Sequence, residues 1–242
     1  MKHINNFLED SNPVYSQENI LQVDKNPIRG FQAVSLDQFR FDHLETTEQV
    51  DRLKYALERA RDWIAVCCQQ PGLSFCITGG VGTGKTTIAY NLMRPFIEQI
   101  FPEGLPNVQS EYLKGRLFEA TELMKILDDD LPMSHHFNRY EIIVVDDVGT
   151  EEIPFATDRN ESIKRQLRYG RFFDYCYKAN KHVVITSNVP LILQTANGYE
   201  IDSAFVEVLG DKALDRLYQM GKGYMCDLKG LPSYRRYIVN DI

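Results

Sequence analysis

The chain has 242 residues, of which 43% are hydrophobic, so it is long and apolar enough to form one sizeable folded domain. Its formal net charge of −7 at pH 7 argues against a protein that coats nucleic acid through bulk charge, so any DNA contact would have to be local. No apolar run is long enough to span a membrane, the first residues lack the apolar core of a signal peptide, and the five cysteines show no C-x-x-C spacing. We therefore expect a cytoplasmic protein with buried free thiols and no membrane association.

The N-terminal part of the chain, residues 1–45, is polar and contains Pro13 and Pro27, which predicts an extended arm with little core of its own. A helix is predicted from Thr46, because Thr46 and Gln49 have the spacing of a capping box and apolar residues follow at intervals of three and four. The helix should end at the Pro-Gly pair that precedes SFCIT. We expect residues 46–242 to form the folded domain.

The rest of the chain alternates predicted strands with predicted helices. A strand SFCIT is followed by a Gly-rich loop and a helix, and the segment around residues 101–115 is interpreted as an irregular insertion. A short strand around 117–120 and a helix from Thr121 come next, then the buried strand EIIVVDD, a long helix ESIKRQLRYGRFFDYCYKAN and the buried strand HVVIT. One or two helices and a last strand YMCDLK complete the chain. This alternation predicts an α/β fold with a mostly parallel sheet.

The loop GGVGTGKTT fits the pattern G-x-x-x-x-G-K-[ST] of a phosphate-binding loop. Glycines let the backbone curl so that its N–H groups point at phosphate oxygens, and the following helix directs its positive dipole end at the same place. Lys85 is expected to reach the β- and γ-phosphates, and the Thr86 hydroxyl to coordinate Mg²⁺. The residues expected to bind the nucleotide are Gly79, Gly80, Val81, Gly82, Thr83, Gly84, Lys85, Thr86 and Thr87.

Two further strands end in polar residues at the edge of the sheet where α/β folds bind ligands. In IIVVDD, Asp146 is expected to hold Mg²⁺ or its waters, and Asp147 to orient and polarise the water that attacks the γ-phosphate. In HVVITSN, Asn188 could help to position that water, although a strand-end asparagine often only begins a turn.

A possible DNA-binding face lies on the long helix. Basic residues recur there with aromatic residues among them, and such a face can grip a single strand through phosphate contacts and stacking. We favour the simpler interpretation, a solvated helix face whose aromatic side chains point into the core. The residues are Lys164, Arg165, Arg168, Tyr169, Arg171, Phe172 and Phe173.

Taken in order, the segments GGVGTGKTT, FEATELMKIL, IIVVDDVG, VVITSNVP, DKALDRL and LPSYRR resemble the AAA+ ATPases of the DnaC/IstB-like family, over roughly residues 40–237. That family includes bacterial replicative helicase loaders and the ATPase helpers of insertion-sequence transposases. The resemblance implies a P-loop NTPase fold of the AAA+ type, with a parallel five-stranded sheet of order 5-1-4-3-2, flanking helices and a reduced lid.

The resemblance also implies roles for particular residues. The loop is Walker A, Asp146 and Asp147 form Walker B, and Asn188 is sensor 1. Arg216 in DRL resembles the arginine finger, which acts on a neighbour's nucleotide, and Arg235 in SYR resembles the sensor 2 arginine of the protomer's own site. The alternative for Arg216 is a surface salt bridge with Asp211 or Asp215. ATP and Mg²⁺ are then the expected cofactors.

The implied partners are further copies of the chain in an ATP-dependent ring or filament, single- or double-stranded DNA, and either a replicative helicase or a transposase. The sequence leaves the last two open, and the arm of residues 1–45 could bind such a partner as a peptide that orders on binding. A small-molecule P-loop kinase and a nucleotide-locked regulatory protein with little hydrolysis are the alternatives to a DNA-associated ATPase.

Overall fold

The computed structural model describes residues 35–98, 115–150, 159–195, 198–221 and 223–234, and the side chains of 192–200 are not described. The first 34 residues of the predicted arm, all but the last residue of the predicted insertion, and Arg235 lie outside these ranges. Within the described part of the arm, Ser35 precedes a 3-10 turn, Leu36–Gln38, whose Leu36 is buried in the core.

A parallel five-stranded sheet forms the centre of the molecule, and its strand order is β2-β3-β4-β1-β7. With β7 counted as the fifth strand, this is the predicted order 5-1-4-3-2. The five strands are β1 (Ser74–Gly79), β2 (Gly115–Glu119), β3 (Ile142–Val148), β4 (His182–Ser187) and β7 (Met225–Leu228).

A separate antiparallel hairpin, β5 (Ile192–Thr195) with β6 (Gly198–Ile201), was not predicted. A strand of four residues contains only two repeats of the alternating pattern of side-chain direction, which is too few to distinguish a strand from a turn by periodicity.

Helices cover both faces of the sheet. They are α1 (Thr47–Cys67), α2 (Lys85–Glu98), α3 (Ala120–Leu127), α4 (Met133–Phe137), α5 (Arg159–Lys178), α6 (Ser203–Leu209) and α7 (Asp211–Gly221). The capping box at the start of α1 is confirmed: Thr46 Oγ1 accepts from Gln49 N at 3.2 Å, and Gln49 Oε1 accepts from Thr46 N at 3.4 Å. A satisfied cap of this kind typically stabilises a helix by about 1 kcal/mol.

The core is divided by the sheet into two apolar layers. Helices α1 and α2 pack on one face, where they meet Ile77 and Val144, while α3, α5, α6 and α7 pack on the other, where they meet Cys76 and Ile143. Every residue of β1 and β4 is buried, as expected for central strands covered on both faces. All five cysteines are free.

The aromatic residues of α5 belong to this core. Tyr169, Phe172 and Phe173 are fully buried, and Arg165 is buried with its guanidinium donating to the Glu207 carbonyl at 3.0 Å. The basic residues Lys164 and Arg168 form ion pairs with Glu161 and Asp128. The aromatic side chains are therefore not exposed for stacking on bases, which confirms that they point into the core. Arg165 differs from the expectation of a solvated basic face, because it is buried.

Across the described ranges, none of the helices combines the length and apolarity needed to cross a membrane.

Candidate functional site

The phosphate loop connects the last residue of β1 to the first residue of α2. Gly82 and Gly84 have φ angles of +79° and +95°, in the left-handed region that side chains other than glycine rarely adopt. A Cβ atom on Gly82 would also lie 2.2 Å from Ser233 Oγ, and one on Gly84 would lie 2.9 Å from the ring of Phe39. Glycine is thus required at both positions by conformation and by close packing.

Helix α2 begins at Lys85, so the positive end of its dipole is directed at the loop. The Lys85 side chain is buried, with 5% exposure, and its Nζ donates to the Gly80 carbonyl at 2.9 Å and to Asn188 Oδ1 at 2.8 Å. A buried ammonium needs such partners to offset the loss of water. Phosphate oxygens are the same kind of acceptor, so the ammonium is already located where a phosphate chain bound by the loop would need it.

Asp146 lies beside the hydroxyl groups of two threonines. Thr86 Oγ1 is 3.1 Å from each carboxylate oxygen of Asp146, and Thr186 Oγ1 donates to Oδ1 at 2.5 Å. Burial raises the pKa of Asp146 above its ordinary value. A carboxylate beside a hydroxyl supplies the oxygen ligands that Mg²⁺ prefers, so Thr86 and Asp146 fit a magnesium ion.

Asp147 lies in a local irregularity of β3. The register between β3 and β4 shifts between Val145 and Val148, and Asp147 has a φ of +58°. Its N–H donates to Thr186 Oγ1 at 2.9 Å, and its Oδ1 accepts from Asn188 Nδ2 at 3.2 Å. Aspartate is one of the few residues that tolerate this left-handed conformation. As a result, the two consecutive carboxylates have different partners: Asp146 contacts Thr86, whereas Asp147 contacts Asn188.

Asn188 connects the loop lysine to the second carboxylate of the site. Its Oδ1 accepts from Lys85 and its Nδ2 donates to Asp147, so the loop after β1, the end of β3 and the end of β4 are joined through one side chain. The structure thus brings together Lys85, Thr86, Asp146, Asp147 and Asn188, all of which were predicted from sequence. Chemically, this arrangement can bind a phosphate chain, hold a divalent cation and orient a water molecule.

Arg216 lies on α7, away from this group. The residue next to it, Leu217, accepts through its carbonyl a 2.9 Å hydrogen bond from Ser74 Oγ at the start of β1, whereas the phosphate loop follows the end of β1. A six-residue strand spans about 20 Å. Arg216 therefore lies toward the amino ends of the strands, whereas the loop of its own chain lies at their carboxyl ends.

Several residues at the site were not predicted. Thr186 links the Asp146 carboxylate to the backbone N–H of Asp147, but these bonds depend on the register of β3 against β4, which the predicted strand order does not give. Phe39 and Ser233 pack on the loop glycines, and Tyr234 N donates to the Gly82 carbonyl at 3.0 Å. The segments before α1 and after β7 thus contact the loop from two sides. Of these two segments, only the second contains a motif, SYR, that pointed to the site in the sequence.

No family model and no curated protein matches the sequence. Among solved structures, the chain is similar to the DnaC helicase loader, with a TM-score of 0.57 and 20% identity over 83% of this chain and 99% of that chain. It is also similar to AMPPCP-bound DnaA from Aquifex aeolicus, with a TM-score of 0.50 and 13% identity over 86% of this chain and 53% of that chain. With the observed strand order, these similarities show that the chain has the P-loop NTPase fold of the AAA+ type.

Proposed function

We propose that this chain is a Mg²⁺-dependent ATPase of the AAA+ type and the DnaC/IstB-like family, which acts in DNA replication as a loader of the replicative helicase. The observation that carries the ATPase part is the continuous contact from Lys85 through Asn188 to Asp147, beside the Thr86–Asp146 pair. A site for phosphate binding alone would not require a carboxylate held next to the loop lysine.

Binding depends on the loop and its lysine. The loop N–H groups and Lys85 bind the phosphates of ATP, and Lys85 exchanges its contacts with Gly80 and Asn188 for phosphate oxygens. Thr86 and Asp146 would hold Mg²⁺, which would offset the negative charge of the phosphates. Thr186 keeps the Asp146 carboxylate in place through its 2.5 Å hydrogen bond.

Hydrolysis depends on Asp147 and Asn188. Asp147 orients and polarises the attacking water, and the Asn188 amide fixes the direction of that carboxylate. Because Asn188 contacts both Lys85 and Asp147, loss of its bond to Lys85 when ATP binds frees its Oδ1 to accept a hydrogen bond from the same water. Sensor 1 is the role that the family resemblance gives to this residue.

The charge that develops on the γ-phosphate is neutralised by arginines. Arg235 is assigned to the nucleotide of its own chain, by the family resemblance. Arg216 is assigned to the nucleotide of a neighbouring copy, and its location far from its own loop supports that assignment. ATP would then bridge subunits in a ring or filament.

Replication is favoured by the similarity to a protein described as a helicase loader. The alternative is an ATPase helper of a DNA transposase, because the same order of motifs occurs in both branches of the family. A pull-down with the full chain in the presence of ATP distinguishes the two: recovery of a hexameric helicase supports loading, and recovery of a transposase supports the alternative.

The ATPase itself is tested by steady-state turnover with and without single-stranded DNA, in the absence of any small-molecule acceptor. Release of phosphate under these conditions supports the proposal. Turnover that requires an added acceptor would instead indicate a small-molecule kinase, and tight ATP binding without turnover in any condition would indicate a nucleotide-locked protein.

A further inference from the structure

The guanidinium of Arg216 is held from two sides by residues of α5. Its Nε donates to Asp174 Oδ1 at 3.2 Å, and its central carbon lies 4.8 Å from the centre of the Tyr177 ring. A hydrogen bond at Nε together with a ring face next to the central carbon restrains the position of a guanidinium from two directions.

The far end of the same guanidinium remains partly available. Nη1 donates to Gln219 Oε1 at 2.7 Å and lies 3.7 Å from Asp215 Oδ2, while Nη2 donates to no group within the described ranges. Arginine binds phosphate through its outer nitrogens, so a contact at Nε leaves a phosphate-binding edge open.

Asp174 is a firmly held acceptor for the Arg216 guanidinium. Its Oδ2 lies 2.7 Å from Lys178 Nζ and 4.0 Å from Lys212 Nζ, so its charge is shared with cations other than Arg216. The hydrogen bonds from Lys178 and Arg216 hold the pKa of Asp174 below its ordinary value, which keeps it ionised at neutral pH. The residue belongs to α5, whose inner face is fully buried, so its backbone is anchored in the core.

We propose that Asp174, with the ring of Tyr177, is a positioning residue that orients Arg216 toward a γ-phosphate bound by a second copy of the chain. This inference rests on the proposed function, because it requires a site completed by the neighbour's arginine. Because Lys178 and Lys212 share the charge of Asp174, Arg216 retains positive charge for the phosphate while its direction is fixed.

The test uses mixtures of variants. A chain that lacks a working Arg216 and a chain that lacks a working phosphate loop should restore each other's activity, whereas two chains with the same defect should not. Asp174→Ala alone is expected to bind ATP as the unmodified chain does and to hydrolyse it about 10- to 100-fold more slowly, the usual effect of a misplaced reacting group. Mixed with Lys85→Ala, it should regain activity, because the intact Arg216 of the Lys85→Ala chain serves the intact loop of the Asp174→Ala chain. Mixed with Arg216→Ala, it should regain none.

A purely structural role for Asp174 gives a different pattern. A destabilised subunit would also bind ATP poorly and would gain little from the Lys85→Ala chain, and this result would overturn the proposal. So would unchanged turnover of Asp174→Ala, or recovery on mixing with Arg216→Ala. Should Lys85→Ala and Arg216→Ala themselves fail to restore each other, the composite site fails, which is a separate outcome.

Matched variants complete the experiment. Asp174→Asn keeps an oxygen acceptor for Nε and should recover most of the lost turnover. Lys125→Gln removes an exposed lysine of α3 and should remain active. Tyr177→Ala, at a side chain with 43% exposure, should fall in the same complementation group as Asp174→Ala without affecting folding, and Tyr177→Phe should remain active.

Discussion

At the scale of single residues, the amide side chain of Asn188 contacts both a cation and an anion of the site. Asn188 accepts from Lys85 and donates to Asp147, so a cation and an anion are separated by a single neutral side chain. A direct ion pair between them would occupy the lysine ammonium, which the proposal assigns to phosphate binding, and the carboxylate, which it assigns to the attacking water. The amide keeps both groups in place without joining them.

The first prediction concerns Lys85→Ala. ATP should bind between about 10- and 100-fold more weakly, because a hydrogen bond to a charged group contributes about 1.5–3 kcal/mol. Calorimetric titration with ATP measures the effect, and Lys54→Ala, at an exposed lysine of α1, is the matched control. Equal affinity of the Lys85 variant and the control would contradict the loop assignment.

The second prediction separates binding from chemistry at Asp147. Asp147→Asn should bind ATP normally and hydrolyse it about 100-fold more slowly, since the shape is kept and the charge that polarises water is lost. Asparagine also tolerates the φ of +58°, so the fold should be unaffected. Single-turnover hydrolysis and a melting curve measure the two properties. Unchanged turnover would mean that another residue orients the water.

Five site residues on three segments could be predicted because each follows an apolar strand and carries a side chain suited to phosphate, metal or water. Thr186 could not, because its bonds to Asp146 and to the Asp147 N–H depend on the local register between β3 and β4, which shifts between Val145 and Val148. Phe39 could not either, because its contact with Gly84 depends on the path of the chain before α1.

At the scale of elements, the strands and long helices were predictable from apolar runs and caps, whereas the short hairpin and α4 were not. A long element repeats its pattern several times, but four or five residues do not. Burial, by contrast, depends on neighbouring elements. His182 begins β4 and is enclosed by Trp63 of α1 and Phe96 of α2, a contact that no local pattern contains.

The third prediction follows from that enclosure. Burial lowers the pKa of His182 to about 4, while its Nδ1 accepts from Leu73 N at 3.2 Å. The folded-state pKa lies below the ordinary value of 6.5, so this contribution to stability is complete above about pH 6.5 and is lost as the pH falls toward 4. The loss at pH 4 should be about 3 kcal/mol.

Urea unfolding between pH 7.5 and 4.5 measures this dependence. Because carboxylates also titrate in this range, the comparison is with His182→Gln, whose free energy of unfolding should fall less steeply with pH. His135→Gln, at an exposed histidine, should retain the slope of the unmodified chain. Identical slopes in all three proteins would show that His182 does not contribute.

At the scale of the whole molecule, the proposed function requires a site that is completed by a second copy of the chain. The loop follows the carboxyl end of β1, whereas Leu217, next to Arg216, contacts the amino end of that strand. This separation favours the action of Arg216 on the nucleotide of a second copy. An arginine in this role typically raises the rate by about three to five powers of ten. Dilution should therefore lower the turnover per chain.

The fourth prediction is a complementation experiment. Arg216→Ala and Lys85→Ala should each lose most hydrolysis, and their mixture should regain part of it, because an intact Arg216 on one chain serves an intact loop on the next. Phosphate release at fixed total protein concentration measures the recovery. A mixture that assembles but stays as inactive as its parents would exclude action across an interface.

The position of β1 between β4 and β7 has a consequence for how the chain is made. Its pairings with these strands join residues that are 109 and 149 positions apart, as in Ser74 with Val183 and Thr78 with Asp227. During synthesis from the N-terminus, β1 therefore has no partner strand on either side until more than 100 further residues have been made. Open apolar edges promote aggregation, and distant pairings form slowly. The nascent chain is thus most vulnerable before β4 emerges from the ribosome, and one edge of β1 stays open until β7 follows.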